Sequence, residues 1–266
     1  MIDPYPRRIV CLTEETTEWL YLLGEEDRIV GISGFTVRPP RARREKPKVS
    51  AFTSAKIDRI VELEPDLVLG FSDLQADIAA DLVRRGIDVH VFNQRSVEEI
   101  LAMLVQLGAL VGAGERAVDW VRAWRSRAEA LRASLPPRAE RPRVYFEEWD
   151  DPLISGIRWV TELVELAGGR DCFPEHADAA LARDRIIADP GEVVKRAPDL
   201  IIGSWCGKKF RPEKVAARPG WERVPAVRSG AIHEVKSALI LQPGPAALTD
   251  GLDALAGLIG DWRKGQ

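Results

Sequence analysis

The sequence predicts an α/β protein of two doubly wound α/β lobes with parallel-type sheets, joined by one long backbone helix. Three observations predict it. Short apolar runs alternate with stretches of helical spacing along the whole chain, the pattern of parallel strands covered on both faces by helices. One helix-turn-strand unit occurs twice, at 57–70 and again at 190–203. The longest helical stretch, 114–135, lies between the two occurrences and is stopped by Pro136-Pro137, which cannot continue a helix.

The elements follow in order. Arg8-Ile9-Val10-Cys11-Leu12 reads as a buried strand, and Thr13 to Leu23 as a helix closed by Gly24. Ile29 to Ile32 is a second strand, and the Pro- and Arg-rich run 38–48 a surface loop. Ile57 to Leu63 is a helix, Glu64-Pro65-Asp66 a turn and Leu67 to Gly70 a strand; a helix to Arg85, Gly86 and a strand from Ile87 to Phe92 come next. Ala117, Val118, Val121, Trp124, Ala128 and Leu131 place one apolar face along the long helix. At 1.5 Å per residue that helix is about 33 Å long, which predicts a stiff strut. A second lobe opens on Arg143-Val144-Tyr145-Phe146. The expected division is an N-terminal lobe 1–113, the bridging helix 114–135 and a C-terminal lobe 136–266.

In the recurring unit, Val61, Pro65, Asp66, Leu67 and Gly70 match Val194, Pro198, Asp199, Leu200 and Gly203. Each copy then reaches a Gly-led strand with one histidine, His90 or His233. The order of parts favours a structural duplication over convergent punctuation. Sheets of this kind bind ligands at the carboxyl ends of their strands, so a ligand cleft between the lobes is expected.

Composition narrows the function. With 38 basic and 41 acidic side chains, a net charge of −3 supplies no field for nucleic acid. No apolar run is long enough to span a bilayer. The first residues carry no hydrophobic leader. Cys11, Cys172 and Cys206 are scattered and odd in number, so no disulfide framework or zinc ribbon is indicated, although a Cys172–Cys206 bond stays open.

Motifs for catalysis are missing. Gly108, Gly112 and Gly114 join two helices, with no strand feeding them as a phosphate loop requires. No nucleophile elbow is present, Ser155 and Ser204 have no evident base in the sequence, and no histidine-carboxylate spacing suggests a catalytic metal. What the sequence offers is aromatic: Phe35, Phe52, Phe71, Trp149 and Trp205 fall just after strands, and Trp159 opens a helix. Rings at strand ends can meet a large, flat, amphipathic ligand; each taken singly is as readily a peripheral core residue. The pairs Glu14-Glu15 and Glu147-Glu148 read as acids at helix starts, where the dipole favours negative charge.

The chain resembles the substrate-binding proteins of cobalamin and iron-siderophore ABC importers over nearly its whole length. The resemblance rests on Arg8-Ile9-Val10 followed by Thr17-Glu18, Arg38-Pro39-Pro40, Lys48-Val49, Ile57 through Gly70, Ser155-Gly156, Glu165 through Gly169 and Pro198 through Ile201. It implies two α/β lobes bridged by a rigid helix, little hinge motion, a monomer, no enzymatic activity, no cofactor, and a small-molecule ligand. Among such proteins the chain looks closest to the cobalamin binders, because Phe52 and Phe71 stand where those carry aromatics. With Phe35, Trp149, Trp159, Trp205 and Arg158 they form the candidate ligand site, and 205–214 its rim in the second lobe. The resemblance also implies docking onto a membrane permease through one acid per lobe: Glu213 in the second lobe, and Asp73 or Asp77 in the first. An extracytoplasmic location is implied, while the absence of a leader from the sequence as it stands keeps a cytoplasmic corrinoid carrier open.

A ferric siderophore or haem is the main rival ligand. Hard iron(III) wants phenolate or carboxylate oxygens, and none of Tyr5, Tyr21 and Tyr145 falls at an expected strand end; Arg95 and Arg158 are the few arginines for a citrate-like chelate. A haem ligand would have only His176 outside a strand. A tetrapyrrole metal chelatase, using His90 or His233 beside Glu234, is the enzymatic alternative.

Overall fold

In both halves of the chain, a residue in the left-handed region, a proline and an aspartate prepare the start of a parallel strand. Glu64 and Ala197 have φ values of 45° and 47°, a conformation costly to any residue with a Cβ. Each precedes the Pro-Asp of the recurring unit. Asp66 accepts the backbone N–H groups of Arg7 at 2.7 Å and Arg8 at 2.9 Å. Asp199 accepts the N–H of Arg143 at 2.8 Å. Each aspartate thus pins the entrance of the neighbouring strand. Each entrance arginine reaches back toward the preceding helix end: Arg8 Nη2 donates to the Leu63 carbonyl at 2.5 Å, and Arg143 Nη1 to that of Arg196 at 3.4 Å. The duplication read from the sequence therefore has a physical content.

A computed structural model describes residues 4–265. The chain divides into two units, one running to Gln94 and resuming over Glu98–Ala123, the other holding Arg95–Val97 and everything from Trp124 onward. In the first unit, β1 (Ile9–Cys11), β2 (Ile29–Ser33), β3 (Lys48–Ala51), β4 (Ser54–Ala55), β5 (Leu67–Phe71) and β6 (Val89–Phe92) form one sheet in the order β4-β3-β2-β1-β5-β6. All neighbours are parallel except β3 and β4. Helices α1 (Glu14–Leu22), α2 (Ala42–Glu45), α3 (Ile57–Glu62), α4 (Ala76–Arg84) and α5 (Val97–Leu110) connect or follow them. The run 38–48, expected to be loop, holds the single turn α2. The core on one face gathers Val10, Leu12, Val49, Ile60, Val68 and Leu82.

Helix α6 (Gly114–Ser134) is 21 residues long. The division between units falls inside it, after Ala123, and not at its two ends. Ala117 and Val121 are buried in the first unit, Trp124 and Ala128 in the second. A Cβ at Gly108 would stand 2.4 Å from that of Ala117, so α5 and α6 pack this closely because residue 108 is glycine.

In the second unit, β7 (Arg143–Asp150), β8 (Leu153–Ser155), β9 (Arg170–Asp171), β10 (Leu200–Gly203) and β11 (Ile232–Glu234) form a sheet of order β11-β10-β7-β8, with β9 beside the start of β7. Only β8 is antiparallel. Its helices are α7 (Arg158–Leu166), α8 (Gly191–Arg196), α9 (Pro212–Ala216), α10 (Pro225–Ser229), α11 (Ser237–Ile240) and α12 (Leu252–Lys264). Trp124 of α6 donates its indole N–H to the Leu248 carbonyl at 2.7 Å, just before α12. Cys11, Cys172 and Cys206 form no disulfide; Cys172 is buried and Cys206 exposed. No helix among the described residues is long and apolar enough to cross a membrane.

Asp199→Ala should lower stability in urea by about 1–3 kcal/mol, and by more than Asp66→Ala, since it also strands the Arg143 side chain that donates to Asp199 at 2.8 and 3.0 Å. Burial alone would raise the Asp199 carboxyl, but the hydrogen bonds from Arg143 outweigh it and hold the group below its usual range. Its contribution is therefore present above the unfolded carboxylate range and lost as pH falls through the lower folded value. Urea denaturation of both variants and the native chain at neutral and acidic pH checks this; variants as stable as the native chain would show that the clamps contribute nothing.

Candidate functional site

Parallel pairing sends the carboxyl ends of all but one strand of each unit to one edge, and the candidate residues collect there. In the first unit, β1 runs into Thr13 and α1. Glu14, Glu15 and Glu18 are all buried. The Thr13 hydroxyl donates to Glu15 Oε1 at 2.7 Å, and Glu18 is paired with Arg38 at 2.7 Å. Burial first, then the charge of Glu14, push the Glu15 carboxyl up to about 8; burial also raises Glu14 and lifts the Cys11 thiol to about 12. A helix dipole offers roughly 0.3–1 kcal/mol to an acid in its first turn, whereas the desolvation of a buried ion costs several kcal/mol. Glu14 and Glu15 stand in the first turn of α1 as expected, but desolvation outweighs the dipole there.

The ends of β3 and β5 on this edge are tied by one side chain that the sequence did not single out. Gln75 is fully buried; its Oε1 accepts the Phe71 N–H at 2.9 Å and its Nε2 donates to the Phe52 carbonyl at 2.8 Å. Ser72, at a φ of 64°, turns the chain sharply after β5, and its hydroxyl accepts the Leu74 N–H. Phe71 is buried and lies 6.4 Å from the half-buried Phe52. Phe35, Val37 and Leu74 stand in water, 57%, 40% and 54% exposed.

In the second unit the edge is built around charges. Glu147 is fully buried in β7. It accepts two hydrogen bonds from Arg218, at 2.5 and 2.9 Å, and one from the Trp205 indole at 3.0 Å. Glu148 is paired in the same two-pronged way with buried Arg185, at 2.6 and 3.1 Å. Both acids lie within a strand that continues to Asp150, so their expected place at a helix start is corrected. Beyond them, Lys208 binds Asp150 at 2.6 and 2.7 Å and sits 5.1 Å from the ring centres of both Trp149 and Trp205. Phe210 meets Trp205 edge-on at 4.9 Å and lies against Gly203, where a Cβ would come within 1.8 Å of its ring.

The sequence-derived candidates thus separate. Phe35 is exposed and Phe52 and Trp149 half-buried at carboxyl edges. Phe71 and Trp205 are at those edges but packed inward. Trp159 is a core residue, 3% exposed, whose indole donates to the Ile240 carbonyl at 2.9 Å. Arg158 is exposed on α7 and pairs with Glu162 at 2.9 Å. Asp73, Asp77 and Glu213 are exposed. Ser155 does meet a histidine, since its hydroxyl lies 2.8 Å from His176 Nδ1, but the serine is buried. His90 packs on Phe92. Among the described residues no group of three or more His, Cys, Asp or Glu is placed to hold a metal ion.

Comparison with known proteins bears on this arrangement. The family model described as "Periplasmic binding protein" matches residues 9–239. An uncharacterised ABC transporter substrate-binding lipoprotein of Bacillus subtilis is 25% identical, over 96% of this chain and 80% of its own length. A vitamin B12-binding protein of Vibrio vulnificus is 23% identical, over 91% and 86%. A solved structure described as a possible iron-binding (periplasmic solute-binding) protein of Staphylococcus epidermidis superposes with a TM-score of 0.79 at 20% identity, covering 96% of this chain and 98% of that one.

Two outcomes follow from the edge chemistry. Between about pH 4.5 and 8 the folded chain holds a proton on Glu15 that the unfolded chain has lost, so stability falls as pH rises through that window. Glu15→Gln keeps an acceptor for Thr13 and should raise the thermal midpoint at alkaline pH while leaving it unchanged near pH 4.5; a parallel pH profile in both proteins would mean that Glu15 is ionised in the fold. Gly203→Ala should displace Phe210 and cost on the order of 1–3 kcal/mol, measured by chemical denaturation.

Proposed function

The chain belongs to the periplasmic binding protein family, and we propose that the ligand it captures is a corrinoid such as cobalamin, carried to an ABC-type permease outside the cytoplasm. The observation that carries this reading is the exposure of three large apolar side chains, Phe35, Val37 and Leu74, on loops at the carboxyl edge of the first sheet. They are held in water on loops that Arg43 (at Gly34 and Thr36) and Ser72 (at Leu74) fasten, a costly surface unless something covers it. A broad, flat ligand with apolar faces and polar margins covers such a surface. The similarity to a vitamin B12-binding protein supports the same ligand class. On the carboxyl edge of the second unit, Lys208 lies against Trp149 and Trp205, and Trp205 is held through Glu147 and Phe210. Exposed Glu213 on α9, and Asp73 just before α4 or Asp77 in its first turn, are the acids that meet the permease.

One observation favours a second reading. Lys209, Arg211 and Lys214 are exposed on the same rim as Lys208, and such a cluster would suit an anionic ferric chelate or a haem with its carboxylates. The likeness in fold to a possible iron-binding protein points the same way.

Isothermal titration with cyanocobalamin should give saturable one-to-one binding, and Phe35→Ala should weaken it by about 1–2 kcal/mol, the loss of one ring's contact area. Saturable binding of ferric citrate or haemin, with none of any corrinoid, would replace the corrinoid with the second reading.

A further inference from the structure

We propose that the amino-terminal edge of the second sheet, opposite the edge that carries Glu147 and Trp205, holds a separate binding site for a phosphoryl oxyanion. A hollow of about 390 Å³ opens there, and four of the side chains around it are Arg138, Arg143, Arg170 and Arg196. Arg141 stands beside them, its backbone carbonyl accepting Arg170 Nε at 3.0 Å.

The arginines around the hollow are unequally partnered. Arg138 is paired with Glu165 at 2.7 Å, Arg143 with Asp199 at 2.8 Å and Arg196 with Glu175 at 2.6 Å. Arg141 reaches Glu165 only at 3.9 Å, and Glu165 is already engaged by Arg138. The fourth carboxylate, Asp171, gives its oxygens to the Thr161 hydroxyl and the Phe173 N–H, at 2.5 and 3.0 Å. Arg170 spends its Nε on a carbonyl, and among the described residues no acceptor stands at its two terminal nitrogens. Its charge nevertheless reaches Asp199, which places it among the paired guanidiniums. Glu192 reaches Arg196 only at 4.0 Å, and one planar donor fork at the wall of the hollow, that of Arg170, lacks a partner among the described residues. A phosphoryl group matches that fork with two oxygens and leaves others for the neighbouring arginines. The hollow has room for inorganic phosphate or for the phosphoryl end of a small ester.

The corrinoid reading gives Arg170 no role, since these residues lie at the other end of the strands. The site stands on its own observations and survives if that reading fails.

The test is titration of the whole chain with inorganic phosphate and with AMP at constant ionic strength set by chloride, read by calorimetry and by thermal midpoint, for the native chain, Arg170→Gln and Arg170→Lys. The expected result is saturable binding of one or both, weakened about tenfold or more in Arg170→Gln and partly kept in Arg170→Lys, which retains charge without the fork. Tighter binding of AMP assigns the site to a phosphate ester, and tighter binding of phosphate to the free anion. No saturable binding of either above chloride, or equal binding by all three proteins, overturns the proposal. Should Arg170→Gln fail to fold, the lysine variant alone decides: unchanged affinity there overturns it.

Discussion

Parallel pairing is the constraint on which the rest of the structure depends. It leaves each sheet with two unlike edges. At the amino edge, strands must be started with their first N–H groups satisfied, because buried backbone donors without acceptors are costly. The recurring left-handed residue, proline and aspartate meet that need in both units, at Glu64-Pro65-Asp66 and Ala197-Pro198-Asp199. At the carboxyl edge no motif is shared between the units, the Phe71 N–H for instance being met by the Gln75 side chain, so loops there are at liberty to carry specificity. The same duplication thus explains why the two units agree at their amino edges and diverge at their carboxyl edges, one bearing exposed apolar groups and the other a lattice of ion pairs.

The carboxyl edges also differ in how they treat buried acids. Glu147 is neutralised by a two-pronged arginine and an indole N–H, the geometry that repays desolvation best. Glu15 meets a hydroxyl and a backbone N–H but no cationic partner that offsets its burial and the charge of Glu14, and responds by holding its proton to a higher pH. One unit therefore fixes its rim by charge pairing, while the other fixes it with a neutral amide, Gln75, spanning two loops.

The strands, the bridging helix and the duplication were legible because they depend on local patterns: apolar runs, helical spacing, and turn residues at fixed offsets. Aromatic placement was legible only as position along the chain. Spacing brings Phe35, Phe71, Trp159 and Trp205 near strand ends, but whether a ring faces water or core is decided by tertiary neighbours, and only Phe35 among these four faces water. The partner of Glu147 is 71 residues away at Arg218, so no local pattern could have announced that β7 carries its acids inside the sheet. Gln75 was missed because a single polar residue in a loop resembles any solvated residue until its burial is known. The serine-histidine contact at Ser155 and His176 was missed for the same reason, and its burial keeps it structural.

The direct measurement of the central claim is hydrogen–deuterium exchange with and without excess cyanocobalamin. Ligand capture at the carboxyl edges predicts slowed exchange in the amides of 33–38, 71–75 and 204–210, with the amino-edge segments 64–66 and 197–199 unchanged. Protection confined to the amino edges, or spread evenly over the chain, would contradict the assignment of the ligand to the carboxyl ends of the strands.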